Sequence, residues 1–256
     1  MGALVALATG AGPCAAQLDY RNLDDHRPVR SEDAYAIERH AFEWMLPAEY
    51  ETRADGELAM LEPELAYGVF ANAQVGVKLP FVAGDAATEG FAGPRLFGLF
   101  NFNTESASLP GLSLRADVTL PWGPAAGDAA TVFLKGIATR GWGLTRVHLN
   151  LGATVSRLEA DRASASEPQW AATVAVDRTL LRQSVLLVGE LAVTQAAATE
   201  PTEVVLSAGA RVQLTPTLVL DGGLARRLTE DGPDVGVTLG LTHVFGVAAL
   251  VPARSR

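Results

Sequence analysis

His148, Asn150 and Ser156 share one parity in the segment 145–156, TRVHLNLGATVS. A hydroxyl, an imidazole and a carboxamide are the parts of a nucleophilic hydrolase site. Spacing argues against that chemistry, because extended chain at ~3.3 Å per residue puts Ser156 about 25 Å from His148. No Gly-x-Ser-x-Gly elbow is present. Glu62 and Glu64 stand two apart and could form an acid/base pair, but charges at a rim or in a lumen account for them more simply. His26, His40, His148 and His243 are scattered singly, without metal-ligand spacing. The glycine-rich ATGAGP near the start has no strand–turn–helix unit around it. No enzyme activity, metal or cofactor is expected.

What remains is a set of ionic and polar groups: Arg39, Glu43, Glu64, Lys78, Arg95, Arg115, Asp117, Lys135, His148, Asn150, Glu190, Arg211, Asp221 and Arg227. Their meaning depends on the elements that carry them. From Tyr35 onward the dominant period is two. Leu112, Leu114, Ala116, Val118 and Leu120 alternate with Ser113, Arg115, Asp117 and Thr119. Val147, Leu149, Leu151, Ala153 and Val155 alternate with His148, Asn150, Gly152, Thr154 and Ser156. Alternation over ten residues is a strand signal, since successive side chains point to opposite faces.

The same reading along the chain predicts strands at 36–46, 60–70, 74–83, 95–103, 112–122, 131–140, 145–156, 169–179, 184–195, 203–214, 217–228 and 235–245. Most run near ten residues, the length of a tilted transmembrane strand, and their number is even, as in bacterial single-chain barrels. The fold class expected is all-β: a transmembrane antiparallel up-and-down β-barrel of about 12 strands. With the apolar faces toward lipid, the fourteen ionic and polar groups line the lumen. There they either brace the barrel or mark a solute path, and Phe97 and Phe133 would make part of it apolar.

Composition agrees. The 256 residues are 48% hydrophobic and only 19% charged, yet no apolar run approaches the ~20 residues of a spanning helix. The net charge of −9 leaves no basic surface for nucleic acid. With both ends on the periplasmic side, the outward loops 47–59, 84–94, 123–130, 157–168, 196–202 and 229–234 hold most of the surplus acid, while most of the opposite turns are short. Long loops on one side suit an outer-membrane barrel. Trp44, Phe81, Phe91, Trp122 and Trp170 fall near expected outer strand ends, and Tyr35, Phe70, Phe102, Trp142 and Phe245 near inner ends, as interfacial girdles do. Pro63 and Pro94 are the awkward prolines, because a closed sheet has no free edge to hide a missing N–H.

Residues 1–16 read as a signal peptide: an apolar, small-residue stretch ending at Ala16, though without a preceding Lys or Arg. Cys14 is the single cysteine, so no disulfide forms within the chain. Residues 17–34 are charged and unpatterned, and are assigned as a periplasmic N-terminal segment that could also fold partly into the barrel mouth. The barrel follows over 35–246 and a C-terminal tail over 247–256.

The stretch Arg27-Pro28-Val29-Arg30-Ser31-Glu32-Asp33-Ala34, running into Ile37-Glu38 and Ala41-Phe42-Glu43, resembles the N-terminal pattern of the outer-membrane transporter family named after the meta-pathway of phenol degradation. Lys78-Leu79-Pro80, the strand from Leu114 to Pro121, Lys135-Gly136, Thr139-Arg140 and His148-Leu149-Asn150 resemble it too. That resemblance implies an outer-membrane barrel moving small molecules. The last strand, with Thr238, Gly240 and Phe245 in register, resembles the C-terminal signature of such barrels. His243 and the eleven residues after Phe245 depart from it.

The expected function is a channel or passive transporter in the outer membrane for small solutes, hydrophobic or aromatic ones among them. The expected partners are outer-membrane lipids and lipopolysaccharide, the outer-membrane assembly machinery and a small-molecule solute, with no nucleic acid. The alternatives are an outer-membrane lipid hydrolase or a soluble periplasmic β-barrel binding protein, whose outer face would have to be polar.

Overall fold

The computed structural model describes residues 19, 21–157, 169–180, 184–195, 201–230 and 232–247. The expected signal peptide, residues 181–183, most of the expected loops 157–168 and 196–202, and nearly all of the expected C-terminal tail lie outside the described residues.

Fifteen strand segments form one antiparallel sheet: β1 (Ala41–Arg53), β2 (Gly56–Leu61), β3 (Glu64–Phe70), β4 (Ala73–Lys78), β5 (Phe81–Ala83), β6 (Gly90–Phe91), β7 (Arg95–Asn103), β8 (Gly111–Thr119), β9 (Thr131–Trp142), β10 (Thr145–Arg157), β11 (Trp170–Leu180), β12 (Val185–Gln195), β13 (Glu203–Thr215), β14 (Leu218–Arg227) and β15 (Val235–Gly246). β1 closes the sheet on β15, from Ala41 opposite Gly246 to Thr52 opposite Val235. Three pairs, β2–β3, β4–β5 and β6–β7, are single staves interrupted once, so the wall has twelve staves. Closure removes both sheet edges, which a bilayer requires because it offers no water to unpaired backbone.

The interruptions explain the awkward prolines. Pro63, Pro80 and Pro94 each break a stave, and Pro47 stands beside them in β1. A proline lacks its N–H but keeps its carbonyl. Glu62 N donates to Pro47 O at 3.0 Å, Leu79 N to Pro63 O at 2.9 Å, Ala92 N to Pro80 O at 2.9 Å and Leu120 N to Pro94 O at 3.0 Å. Four adjacent staves therefore stay joined at the level where each loses a donor.

Apolar residues face outward, as alternation requires. Leu112, Leu114, Leu149, Leu151, Val174, Leu191, Leu206 and Leu239 are all exposed, while their strand neighbours are buried in the interior. A soluble barrel would show water its polar face, so this surface excludes the soluble binding protein. Replacing Leu151 by Arg at the middle of β10 is expected to destabilise the barrel by about 2–4 kcal/mol. Urea unfolding from lipid vesicles measures it, and a loss under half a kilocalorie would mean that Leu151 does not face hydrocarbon.

The largest departures from the pattern-based bounds are at β1. β1 starts at Ala41, not 36, and runs to Arg53, where only Ala54 and Asp55 turn into β2. The expected loop at 47–59 is mostly strand because Tyr50, Glu51 and Thr52 pair on both sides. Trp44 consequently sits near the rim where β1 begins, opposite His243, rather than at the far rim. His243 occupies the outer face there and holds the Thr217 carbonyl through Nδ1 at 3.0 Å. A polar anchor at the rim accounts for a histidine where the barrel signature has a hydrophobe.

Candidate functional site

The lumen is filled by the chain's own N-terminal segment. Leu23, Asp25, Arg27, Val29, Ser31, Glu32, Asp33, Ala34 and Ile37 are all buried inside the barrel. The assignment of 17–34 as a periplasmic segment is thereby corrected for its described residues: from Arg21 on, they form a plug within the lumen. The plug folds back on itself, with Asp33 N donating to Leu23 O at 3.1 Å and Arg27 N to Asp24 O at 3.0 Å. The loop rises from the rim where β1 begins, meets Glu190 at the middle of β12 and Glu51 toward the far end of β1 through Arg30, and returns through Tyr35 to Arg39 before β1.

Charge pairs fasten the plug on several sides. Arg27 meets Asp221 at 2.9 Å and Thr242 at 3.0 Å. Arg211 meets Asp24 at 2.8 Å. Asp25 meets Lys135 at 2.5 Å and Lys78 at 3.1 Å, and Glu32 meets Lys135 at 2.7 Å and Arg115 at 2.8 Å. Asp33 meets Arg146 at 3.0 Å. Backbone groups are held as well: Ser31 N and Arg30 N donate to Glu190, Glu32 N to Asn150 Oδ1 at 2.8 Å, and Ile37 N to Gln74 Oε1 at 2.7 Å. Hydrogen bonds to charged groups are each worth ~1.5–3 kcal/mol, so the plug is a seated element.

Packing completes the seat. Leu23 and Val29 join Leu186, Val188, Val219 and Val244 in one buried apolar cluster. Beside it, inner-face glycines leave the plug room. A Cβ at Gly223 would collide with the Pro28 carbonyl, and one at Gly240 with the Arg27 guanidinium. Gly223→Val is expected to unseat residues 27–28 while the lipid face stays intact. Faster proteolysis of the N-terminal segment in the folded barrel would show it, and unchanged protection would refute the seat.

One arrangement has the outline of a catalytic relay. His148 lies 2.9 Å from Asp177 through Nε2 and 3.0 Å from Thr139 through Nδ1. Nε2–H donates to the Asp177 carboxylate, and Nδ1 faces the Thr139 hydroxyl. That hydroxyl also accepts from Ala34 N at 3.0 Å, and Arg146 pairs with Asp177 at 2.6 Å. His148, Thr139 and Asp177 are fully enclosed. In this geometry the relay is a plug anchor, and the hydroxyl partner of His148 is Thr139 across the strand pair.

Of the fourteen groups singled out in the sequence, Glu43, Glu64, Lys78, Arg95, Arg115, Asp117, Lys135, His148, Asn150, Glu190, Arg211 and Asp221 are buried on the inner wall. Most of them touch the plug or one another. Arg227 is half-buried at the far rim and pairs with Asp234 at 2.5 Å. Arg39 is a correction: it is exposed and precedes β1, because the chain turns at His40, whose φ is 68° and whose N–H donates to Gly68 O at 2.7 Å. Tyr35 likewise belongs to the plug and not to an aromatic girdle, standing against Gly111. Arg146 and Asp177 were missed, although Arg146 shares the parity of His148. Asp25, Glu32 and Asp33 carry no pattern that could have placed them.

Burial depresses the His26 imidazole to about 4, with the Asp25 charge opposing and Lys78 adding to the depression. The ring is partly exposed, in a shallow recess that it lines with Pro47, Glu49, Met60 and Glu62. A released plug would restore the ordinary value near 6.5, so between about 6.5 and 4 the released state binds more protons. Acidification through that window therefore favours release. Burial raises Asp33, which opposes the effect, and Asp25 is held well below the usual range despite its burial, chiefly by Lys135 and Lys78, so it acts only at lower pH. The His26 contribution is read by difference: from pH 7 to pH 5, plug proteolysis in the natural chain is expected to quicken relative to His26→Gln.

No protein-family profile matches the chain, and no curated protein matches it in sequence. The fold is shared with solved barrels. The COG4313 outer membrane channel from Pseudomonas putida F1 superposes with a TM-score of 0.66 at 16% identity, over 87% of this chain and all of that one. The KdgM porin, solved with disordered oligogalacturonate, gives 0.52 at 8% identity over 81% of this chain and 99% of its own. The NanC porin gives 0.50 at 6% identity over 80% and 99%. The fold is that of outer-membrane channels. A twelve-stave barrel stands between the side-chain-filled eight-stranded kind and the sixteen-stranded porin, so its lumen is wide enough to need a filling segment.

Proposed function

We propose that this protein is an outer-membrane channel for small solutes whose passage is set by its own N-terminal plug, and that it belongs with the transporters named after the meta-pathway of phenol degradation. The observation that carries the channel reading is how the lumen is filled. A barrel built only as a rigid shell could fill its interior with wall side chains, whereas here a separate segment is seated on glycines and charge pairs. Such a filling can be displaced without breaking a stave. The buried patch of Leu186, Val188, Val219 and Val244 beneath Leu23 and Val29 supports a solute with an apolar part, as Phe97 does on the opposite wall. The shape match with outer-membrane channels and porins fits the reading.

Planar-bilayer recording and liposome swelling on the purified chain test it. Small, infrequent conductance steps and slow uptake of uncharged solutes are expected. Absence of both, in the full chain and after plug removal, would overturn it.

A further inference from the structure

Two of the plug's carboxylates occupy a seat whose chemistry does not depend on the plug. Lys135 from β9 has Asp25 and Glu32 as its described carboxylate partners, at 2.5 and 2.7 Å, and both belong to the plug. Arg115 from the neighbouring β8 directs Nη1 at Glu32, keeps Nε and Nη2 on Asp117 of its own strand, and brings Nη2 within 3.6 Å of Asp25. The Asn150 amide on β10 completes the seat from the other side, accepting from Glu32 N and donating to Glu32 O. Lys78 is different, since Glu62 and Glu64 on the wall remain to it after Asp25 is gone. Withdrawal of the plug would thus leave one buried ammonium and the Arg115 Nη1 without their carboxylates, which is costly for enclosed charges.

We infer that Lys135, Arg115 and Asn150 form a binding seat for small organic dicarboxylates, and that Asp25 and Glu32 fill it as an internal mimic of the solute. The two plug carboxylates share a single ammonium, so a short molecule bearing both groups can reach the same cations. Arg115 supplies one charge-assisted donor, Nη1, while Asp117 holds its Nε and Nη2, and Lys135 supplies a point charge. A solute that takes the seat competes with the plug for it, so binding and opening are linked. That link to permeation rests on the channel reading, whereas occupancy of the seat does not.

Succinate is the probe, with succinamide as the uncharged control and sulfate as the inorganic one. Calorimetric titration uses the full chain in detergent and the variant Asp25→Asn/Glu32→Gln, with barrel assembly checked by heat-modifiable migration. Succinate is expected to bind the variant at least tenfold more tightly than the natural chain. Adding Lys135→Gln should abolish that gain, and succinamide should not bind. If the double variant does not assemble, Glu32→Gln alone carries the same test. Overturning results are an assembled variant that binds no succinate, binding unaffected by Lys135→Gln, or sulfate binding as tightly as succinate. Succinate binding by a barrel that never conducts would sink the channel reading and leave the seat standing. Conductance without succinate binding would do the reverse.

Discussion

A chain lacking residues 21–37 is expected to conduct at least about tenfold more than the full chain, because a twelve-stave barrel emptied of its filling approaches an open aqueous pore. The plug supplies Leu23, Asp25, Arg27, Val29 and Asp33 to the interior, where Arg27 pairs with Asp221 and Asp33 with Arg146 of the wall. The staves pair with one another throughout, β1 with β15 included, so no ladder bond depends on the plug except at the entry to β1. The deletion should therefore assemble and open. Single-channel recording checks the size of the step. Equal conductance in the two forms would mean that the filling does not limit passage, and the proposed role of the plug would fall.

Lys78→Met is expected to be the most damaging single substitution in the lumen, costing about 3–5 kcal/mol, because breaking a buried ionic group strands its remaining charges. The Lys78 ammonium is fully enclosed and meets Asp25 at 3.1 Å, Glu62 at 3.2 Å and Glu64 at 3.3 Å. Three carboxylates gathered around one cation repel one another once it is gone. Methionine fills the stem's volume, so the loss measures charge rather than packing. Adding Glu64→Gln to Lys78→Met should recover part of it. Unfolding in urea from vesicles reads both. A Lys78→Met barrel as stable as the natural one would show that the cluster is hydrated and its charges cheap. Arg39→Ala, at the exposed position before β1, should leave stability unchanged in the same assay.

The wall was legible in the sequence because a strand's faces are written locally. Leu112, Leu114 and Val118 against Ser113, Arg115 and Asp117 declare which side meets lipid, and the structure exposes the leucines and buries the ionic groups. The boundaries of β1 were not legible. Glu49 and Glu51 look like loop acids in isolation, and only pairing to β15 and β2 makes that stretch a strand. Pro63 and Pro94 looked misplaced for a related reason: their cost depends on whether a neighbouring N–H finds their carbonyls, and Leu79 and Leu120 supply it.

The plug marks the other limit. Residues 21–38 have no period because they form no regular element, and their conformation is dictated by partners up to 215 positions away, as for Arg27 and Thr242. Composition and alternation by themselves determined a closed, lipid-facing barrel and the inward direction of its charges, since both follow from the two-residue repeat of each strand. Only the tertiary structure decided that those charges serve an inserted segment and which pairs they form. Ionic partners are chosen by proximity across a folded interior, and that proximity is absent from any local stretch of chain.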